Sequence, residues 1–310
     1  MNNSNVAVIL VNWNNYHDTI ACLNSIKSLD YNNFSVFVVD NGSQNNSYSE
    51  LENYSQAHNS FPLSILRSDE NLGFAGGNNF AVNYIRNDNI DYYWFLNNDT
   101  EVDKNSLSCL VEKAQSIKNI GAVGSKILTY STNNIGSVGG VIDYHSGQGG
   151  SLGQTQDDVG QYDSISDVDY VSGCSLLVPV NICKLVGLMD DSYFLYYEDT
   201  DWSLRIRATG ARTVQANDSI IYHKAGQSSG GDYSAPFLLY YNIRNRFIMT
   251  KNNYSYFTKW GPLKYLFSRS SKLLVNVWLR KDRKIIRTKY ILLAVLHALT
   301  GRLGRLKNHV

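Results

Sequence analysis

The chain lacks any apolar run long enough for a membrane helix. Its longest nearly uncharged apolar stretch, residues 290–300, falls far short of the ~20 residues that a bilayer crossing requires. No secretory leader is expected: Met1, Asn2, Asn3, Ser4 and Asn5 run directly into an apolar segment, with neither a basic start nor a small-residue cleavage site. A cytoplasmic protein is therefore expected. Cysteine is scarce, and Cys22, Cys109, Cys174 and Cys183 form no CxxC pair, which argues against a zinc ribbon or a disulfide framework. They are expected to be buried small hydrophobes. No glycine lies between Asn12 and Tyr16 and no phosphate-loop lysine motif occurs, so dinucleotide oxidoreductases and P-loop enzymes are disfavoured.

Net charge is also nearly absent, at +1, but its distribution is uneven. Residues 259–310 carry 13 Lys and Arg against the single acid Asp282, or +12, which leaves −11 for residues 1–258. Such asymmetry suits a polyanionic partner for the tail. Leu266, Leu273, Val277, Trp278, Ile285, Ile286, Ile291 and Leu292 alternate there with basic residues, the pattern of helices lying on an anionic bilayer. A helical homodimer interface is the alternative. Nucleic acid is disfavoured, because the acidic remainder would repel phosphates.

A continuous aliphatic run at residues 6–11 predicts a strand buried on both faces, and further apolar runs at 34–39, 63–66 and 92–96 predict three more strands. Helical spacing at residues 20–29, 74–85 and 106–117 lies between and after them. This alternation predicts βαβ units and a mostly parallel sheet covered by helices. Residues 131–168, rich in Gly, Ser, Asp and Gln, predict hairpins and a loop. Beyond them come an apolar segment at 171–180, a helix at 199–209 stopped by Gly210, short strands over 211–223, a helix at 235–250 and two basic helices from Tyr256 onward.

In an open α/β sheet, ligands bind beyond the carboxyl ends of the strands, so the polar residues there are the candidates. They are Asn12-Trp13-Asn14, Asp40-Asn41-Gly42-Ser43, Arg67-Ser68 followed by Asn71-Leu72-Gly73-Phe74-Ala75-Gly76-Gly77-Asn78, and Asn97-Asn98-Asp99. With 34 asparagines in the chain, any single cluster is equally a set of turns. Glycines at the start of a helix would let backbone N–H groups approach an anion. Asp99 could hold a cation on a diphosphate. Farther along, Glu198-Asp199-Thr200-Asp201-Trp202 puts three acids at a helix start, where they either complement the helix dipole or furnish a general base.

Taken in order, these elements resemble the family 2 glycosyltransferases of GT-A fold, in the branch that includes bacterial rhamnosyltransferases of cell-surface polysaccharides. The resemblance runs through residues 8–14, 38–43, 71–78 and 95–99, Gly173-Cys174, residues 198–202 and His223. It implies a Rossmann-like α/β GT-A catalytic domain over residues 1–255, with residues 256–310 as a basic amphipathic tail. It implies an inverting transfer from a dTDP- or UDP-sugar, L-rhamnose being the first expectation, to a glycan or polyprenyl-diphosphate-linked acceptor. Asn12, Asp40, Asn41, Arg67, Asn71, Gly73, Phe74, Gly77, Asn78, Asn97 and Asn98 would form the donor site, with Arg246 helping the leaving diphosphate. Asp99 and His223 would hold Mn²⁺ or Mg²⁺. Asp199, with Glu198 beside it, would be the base, and Gly173, Cys174 and Trp202 would meet the acceptor. One departure stands out: Asn97 occupies the first carboxylate position of the metal motif, and an amide oxygen is a neutral, weaker ligand. Rival readings are a sugar-phosphate nucleotidyltransferase, whose glycine-rich loop after Val11 is missing, and a non-catalytic scaffold of the same fold.

Overall fold

The structure is a computed structural model that describes residues 4–57, 60–85, 89–224 and 235–306. Its first half is the predicted alternation. Strands β1 (Val6–Asn12), β2 (Phe34–Asn41), β3 (Leu63–Ser68) and β4 (Tyr92–Asn97) are parallel in the spatial order β3-β2-β1-β4, with helices α1 (Tyr16–Ile26), α2 (Ser47–Ala57) and α3 (Gly73–Tyr84) as crossovers. Along β1, Val6, Val8 and Leu10 enter one core with α1, while Ala7 and Ile9 enter the other with α3. Burial on both faces is what makes the strand read as an unbroken apolar run.

The second half departs from parallel order. After β5 (Thr100–Val102), α4 (Ser106–Ser116), β6 (Ile120–Thr129) and the short strands β7 (Ile135–Ser137), β8 (Gly140–Asp143) and β9 (Gln148–Ser151), strand β10 (Ser175–Pro179) enters antiparallel between β4 and β6. The site edge of the sheet therefore meets the start of β10 rather than its end. Helices α5 (Val180–Val186) and α6 (Glu198–Ala208) follow, then β11 (Arg212–His223), parallel to β6 and antiparallel to β5. β11 is one twelve-residue strand, not the short strands expected, and a register shift between Ala216 and Ile220 explains the broken apolar pattern. Helix α2 has no counterpart in the sequence reading. Only Ser47 and Leu51 are buried on it, so it carries no apolar stripe to read.

Helices α7 (Pro236–Asn252), α8 (Gly261–Arg280) and α9 (Lys284–Thr300) form a separate cluster in which Tyr240, Tyr241 and Ile243 of α7 pack with Leu266 and Val277 of α8 and Ile291, Ala294 and Ala298 of α9. Among the described residues, no helix is long and apolar enough to cross a membrane. All four cysteines are free, and Cys22, Cys174 and Cys183 are buried as expected. Lys307 of the basic tail lies outside the described residues.

Candidate active site

Asn12 and Asp40 are paired in register at the carboxyl ends of β1 and β2, and both are fully buried. Asn12 Nδ2 donates to Asp40 Oδ1 at 2.8 Å and to Ser43 Oγ at 3.3 Å, while Asn12 Oδ1 accepts from Thr19 Oγ1 at 2.9 Å. Thr19 in turn accepts from Asn98 Nδ2 at 2.9 Å. One chain of hydrogen bonds thus links the end of β2 to the turn after β4. The Asn12 side chain thus orients Asp40. Asp40 Oδ2 is buried without a partner.

The glycine-rich segment is a correction to the sequence reading. Asn41 Oδ1 accepts from Leu72 N–H, Asn71 Oδ1 from Gly73 N–H, and Phe194 C=O from Phe74 N–H, at 2.8–3.0 Å. The N–H groups of Leu72, Gly73 and Phe74 are therefore used within the protein and do not await an anion. The glycines serve close approach instead. A Cβ on Gly73, whose φ is +77°, would lie 2.3 Å from Phe194 O, and one on Gly77 would lie 2.8 Å from Val11 Cγ1. Asn78, also buried, returns its Nδ2 to Phe74 O at 2.9 Å. Arg67 is exposed and lies over the Tyr48 ring, 4.7 Å from its centroid.

After β4, Asp99 is 1% exposed. Its Oδ1 lies 3.1 Å from His223 Nε2 at the end of β11, and its Oδ2 has no partner. Asn97 Nδ2 is 3.5 Å from the same His223 nitrogen. Burial works to lower the His223 pKa, but the adjacent Cys174 sulfur and the Asp99 carboxylate outweigh it, so the pKa is raised well above the usual value. Among the described residues, no group of three or more His, Cys, Asp or Glu could enclose an ion. An unpartnered buried carboxylate oxygen beside an imidazole does fit one face of a cation whose other ligands come from elsewhere.

The turn before β10 joins this corner to the second carboxylate cluster. Cys174 C=O accepts from Asn97 N–H at 3.0 Å, and Gly173 N–H donates to Asp199 Oδ2 at 2.9 Å. Asp199 Oδ1 also accepts from Thr200 N–H at 2.6 Å and Thr200 Oγ1 at 3.1 Å. Gly173 and Cys174 were expected at the acceptor; here one holds Asp199 and the other adjoins His223. Burial raises the Asp199 pKa against those three donors. Glu198 is more deeply placed, 5% exposed with Oε2 unpartnered, and burial, then the charge of Asp199, pushes it up to about 8. Burial and the neighbouring charge thus disfavour ionisation of Glu198, whereas the three hydrogen-bond donors on Asp199 favour its charged form.

Trp202 is the second correction. It is fully buried, its Nε1 donates to Gly187 O at 2.8 Å, and its ring packs edge-on against Phe95 at 5.5 Å. It belongs to the core and cannot stack on an acceptor. The aromatic groups around Asp199 are ones the sequence reading missed. Tyr170 lies within electrostatic reach of Asp199, and Tyr197 within reach of Arg246 and Asp199. Arg246 of α7 is 6% exposed, lies 4.0 Å above the Tyr265 ring and leaves Nη2 unpartnered; burial lowers its pKa. Nothing in tyrosine spacing singles these residues out, because the chain has 22.

Residues 7–153 match the model of glycosyl transferase family 2. The low-salt glycan biosynthesis hexosyltransferase Agl10 of Haloferax volcanii is 24% identical over 97% of this chain and 92% of that protein. The dTDP-rhamnosyl transferase RfbF of Shigella flexneri is 25% identical over 81% of this chain and 82% of its own length. Among solved structures, the mannosyltransferase PcManGT of Pyrobaculum calidifontis, in complex with GDP-Man and Mn²⁺, superposes with a TM-score of 0.59 at 14% identity, over 97% of this chain and 76% of that one. That likeness is one of fold, and the fold is GT-A.

Proposed function

We propose that this chain, a family 2 glycosyltransferase of GT-A fold, moves a sugar from a nucleotide diphosphate to an acceptor hydroxyl with inversion, and that Asp199 is its base. The observation that carries this reading is a set of buried, unpartnered polar atoms: Asp40 Oδ2 and Asp99 Oδ2 at strand ends, Glu198 Oε2 at the start of α6 and Arg246 Nη2 on α7. Buried polar atoms without partners are costly, and a bound ligand is one way to satisfy them. Asp40 Oδ2 suits a donor hydrogen on base or ribose. Asp99 and His223, with the Asn97 amide oxygen, would hold Mn²⁺ or Mg²⁺, which when bound would offset charge on the diphosphate.

Asp199 takes the acceptor hydroxyl proton as that oxygen attacks the anomeric carbon from the face opposite the nucleotide. The bond from that carbon to the diphosphate breaks, and its electron pair leaves with the nucleotide. Arg246, through its unpartnered Nη2, would meet the charge that develops. Tyr170 and Tyr197, rather than Trp202, would offer the acceptor an aromatic wall. We take dTDP-L-rhamnose as the first donor to test, supported by the 25% identity to RfbF; a UDP-hexose is the second.

The helical tail supports a peripheral position at an anionic membrane, where a lipid-linked acceptor for cell-surface glycan would be found. Val275, Trp278, Leu279, Ile285, Leu292 and Leu296 are exposed on α8 and α9, interspersed with exposed Lys272, Arg280, Lys281, Arg283, Lys284 and Lys289. Basic residues near such a surface contribute ~1 kcal/mol each. Two experiments test the reading. In a thermal-shift panel of nucleotide sugars, the true donor at ~100 times its Kd should add about 2.7 kcal/mol of stability; no response to any dTDP- or UDP-sugar would sink the donor site. The intact protein should sediment with phosphatidylglycerol vesicles and not with phosphatidylcholine. Concentration-dependent dimerisation without vesicle binding would assign the face to a second copy.

A further inference from the structure

The chain reaches Glu198 and Asp199 through a segment of unusual backbone. Phe194, Tyr196 and Tyr197 have φ of +67°, +67° and +72°. Bulky residues rarely adopt positive φ, because Cβ crowds the backbone there. Phe194, with ψ of −50°, sits at the centre of a γ-turn of the strained hand, in which Leu195 N–H donates to Tyr193 C=O at 2.9 Å. Such conformations persist only where their surroundings over-determine them, and they cluster at functional sites.

The surroundings here are two. On one side, Gly73 leaves room for Phe194 O, which accepts from Phe74 N–H at 3.0 Å. On the other lies α7. The buried Asn245 side chain donates through Nδ2 to Tyr193 O at 3.0 Å, Leu195 O at 2.7 Å and Tyr196 O at 3.0 Å, so two hydrogens are shared among three carbonyls. Arg244, fully buried, donates to Asn245 Oδ1 at 2.7 Å, which fixes the orientation of that amide, and to Tyr193 O at 3.0 Å. Arg244 also reaches Gly304 O at 2.7 Å, so the end of the chain supports the same clamp.

We propose that Asn245 is a positioning residue for the transfer, holding the left-handed segment 194–197 in the one shape that presents Asp199 beside Gly173. This deepens the proposed function and rests on its assignment of Asp199 as base. The helical cluster is then a working part of the catalytic unit as well as a surface for docking.

The test uses the full-length protein with dTDP-rhamnose, or UDP-glucose if that is the donor the wild type consumes. Asn245→Ala should lower kcat by about 100-fold, the usual effect of misplacing a reacting group by ~1 Å, while KM for donor and binding of its nucleotide diphosphate, dTDP or UDP, stay near wild type. Hydrogen exchange should rise at residues 193–200 with the β1–β4 half still protected. Adding Tyr196→Gly, which makes positive φ accessible without a Cβ clash, should recover part of kcat. If Asn245→Ala does not purify folded, Asn245→Ser, which keeps one donor, is measured in its place. Retention of kcat within about threefold, far below the expected misplacement effect, overturns the proposal. So does a loss accompanied by exchange throughout the chain that Tyr196→Gly fails to recover. Asp199→Asn, run alongside, keeps the two ideas apart: if it retains wild-type kcat the base assignment fails, whatever Asn245 does to exchange.

Discussion

The two polar corners of the site are held in opposite ways. Asp40 and Asn98 are fixed by Asn12, Thr19 and Ser43, side chains on the neighbouring strand, the helix that follows it and the adjoining turn. Glu198 and Asp199 stand at the end of a segment whose backbone is bent against its own preference and held by Asn245, some fifty residues later in the chain. The first corner is built by the sheet's own regularity. The second draws its backbone clamp from α7, so it rests on contacts far apart in the sequence.

This contrast can be broken or sharpened by experiment. The largest effect is expected from Asp199→Asn, which should cut transfer by roughly two to four orders of magnitude, the range for loss of a general base, with binding of the donor's nucleotide diphosphate, dTDP or UDP, unchanged by calorimetry. A turnover near wild type would take Asp199 out of the mechanism and remove the reason for a separately braced corner. Next in size is Asp99→Ala. Removing one side of the Asp99–His223 pair should raise the Mn²⁺ concentration needed for half-maximal activity by about 10–100-fold, and chelator should abolish wild-type transfer. Undiminished activity in excess chelator would show that Arg246 carries the leaving charge without a cation.

The smallest effect is a slope. Glu198 has a native pKa of about 8 against an ordinary 4.5, so between those values the unfolded chain releases a proton that the folded chain keeps. Its contribution to stability is therefore complete below about pH 4.5 and is lost as pH rises to about 8, with a slope approaching 1.4 kcal/mol per pH unit in between. Glu198→Gln should flatten that part of a urea-denaturation series measured from pH 5 to 8. An unchanged slope would mean that Glu198 ionises freely, and its contrast with Asp199 would fall.

What the sequence made legible follows the same division. Strands β1, β2 and β4 are apolar on both faces, and their polar ends fall on one edge, so the donor corner could be read residue by residue. Helix α2 could not, since it buries almost nothing. Trp202 stands one turn into an acidic helix, where stacking on a sugar and packing on Phe95 leave the same trace in the sequence; only the Gly187 carbonyl distinguishes them. Asn245 is one of 34 asparagines, and its role lies in three carbonyls that no local pattern connects to it.

The antiparallel entry of β10 has a consequence for how such an enzyme can diversify. Because the site touches β10 at its first residues, the anchor comes after the stretch 130–170, with its short strands β7, β8 and β9, and not before it. Changes of length in that stretch are then absorbed upstream of the turn that holds Asp199. Doubling a flexible loop costs only about 0.6 kcal/mol in closure entropy. The stretch is thus a region in which new acceptor surfaces can be tried while the carboxylate, the histidine and the strand ends keep their places.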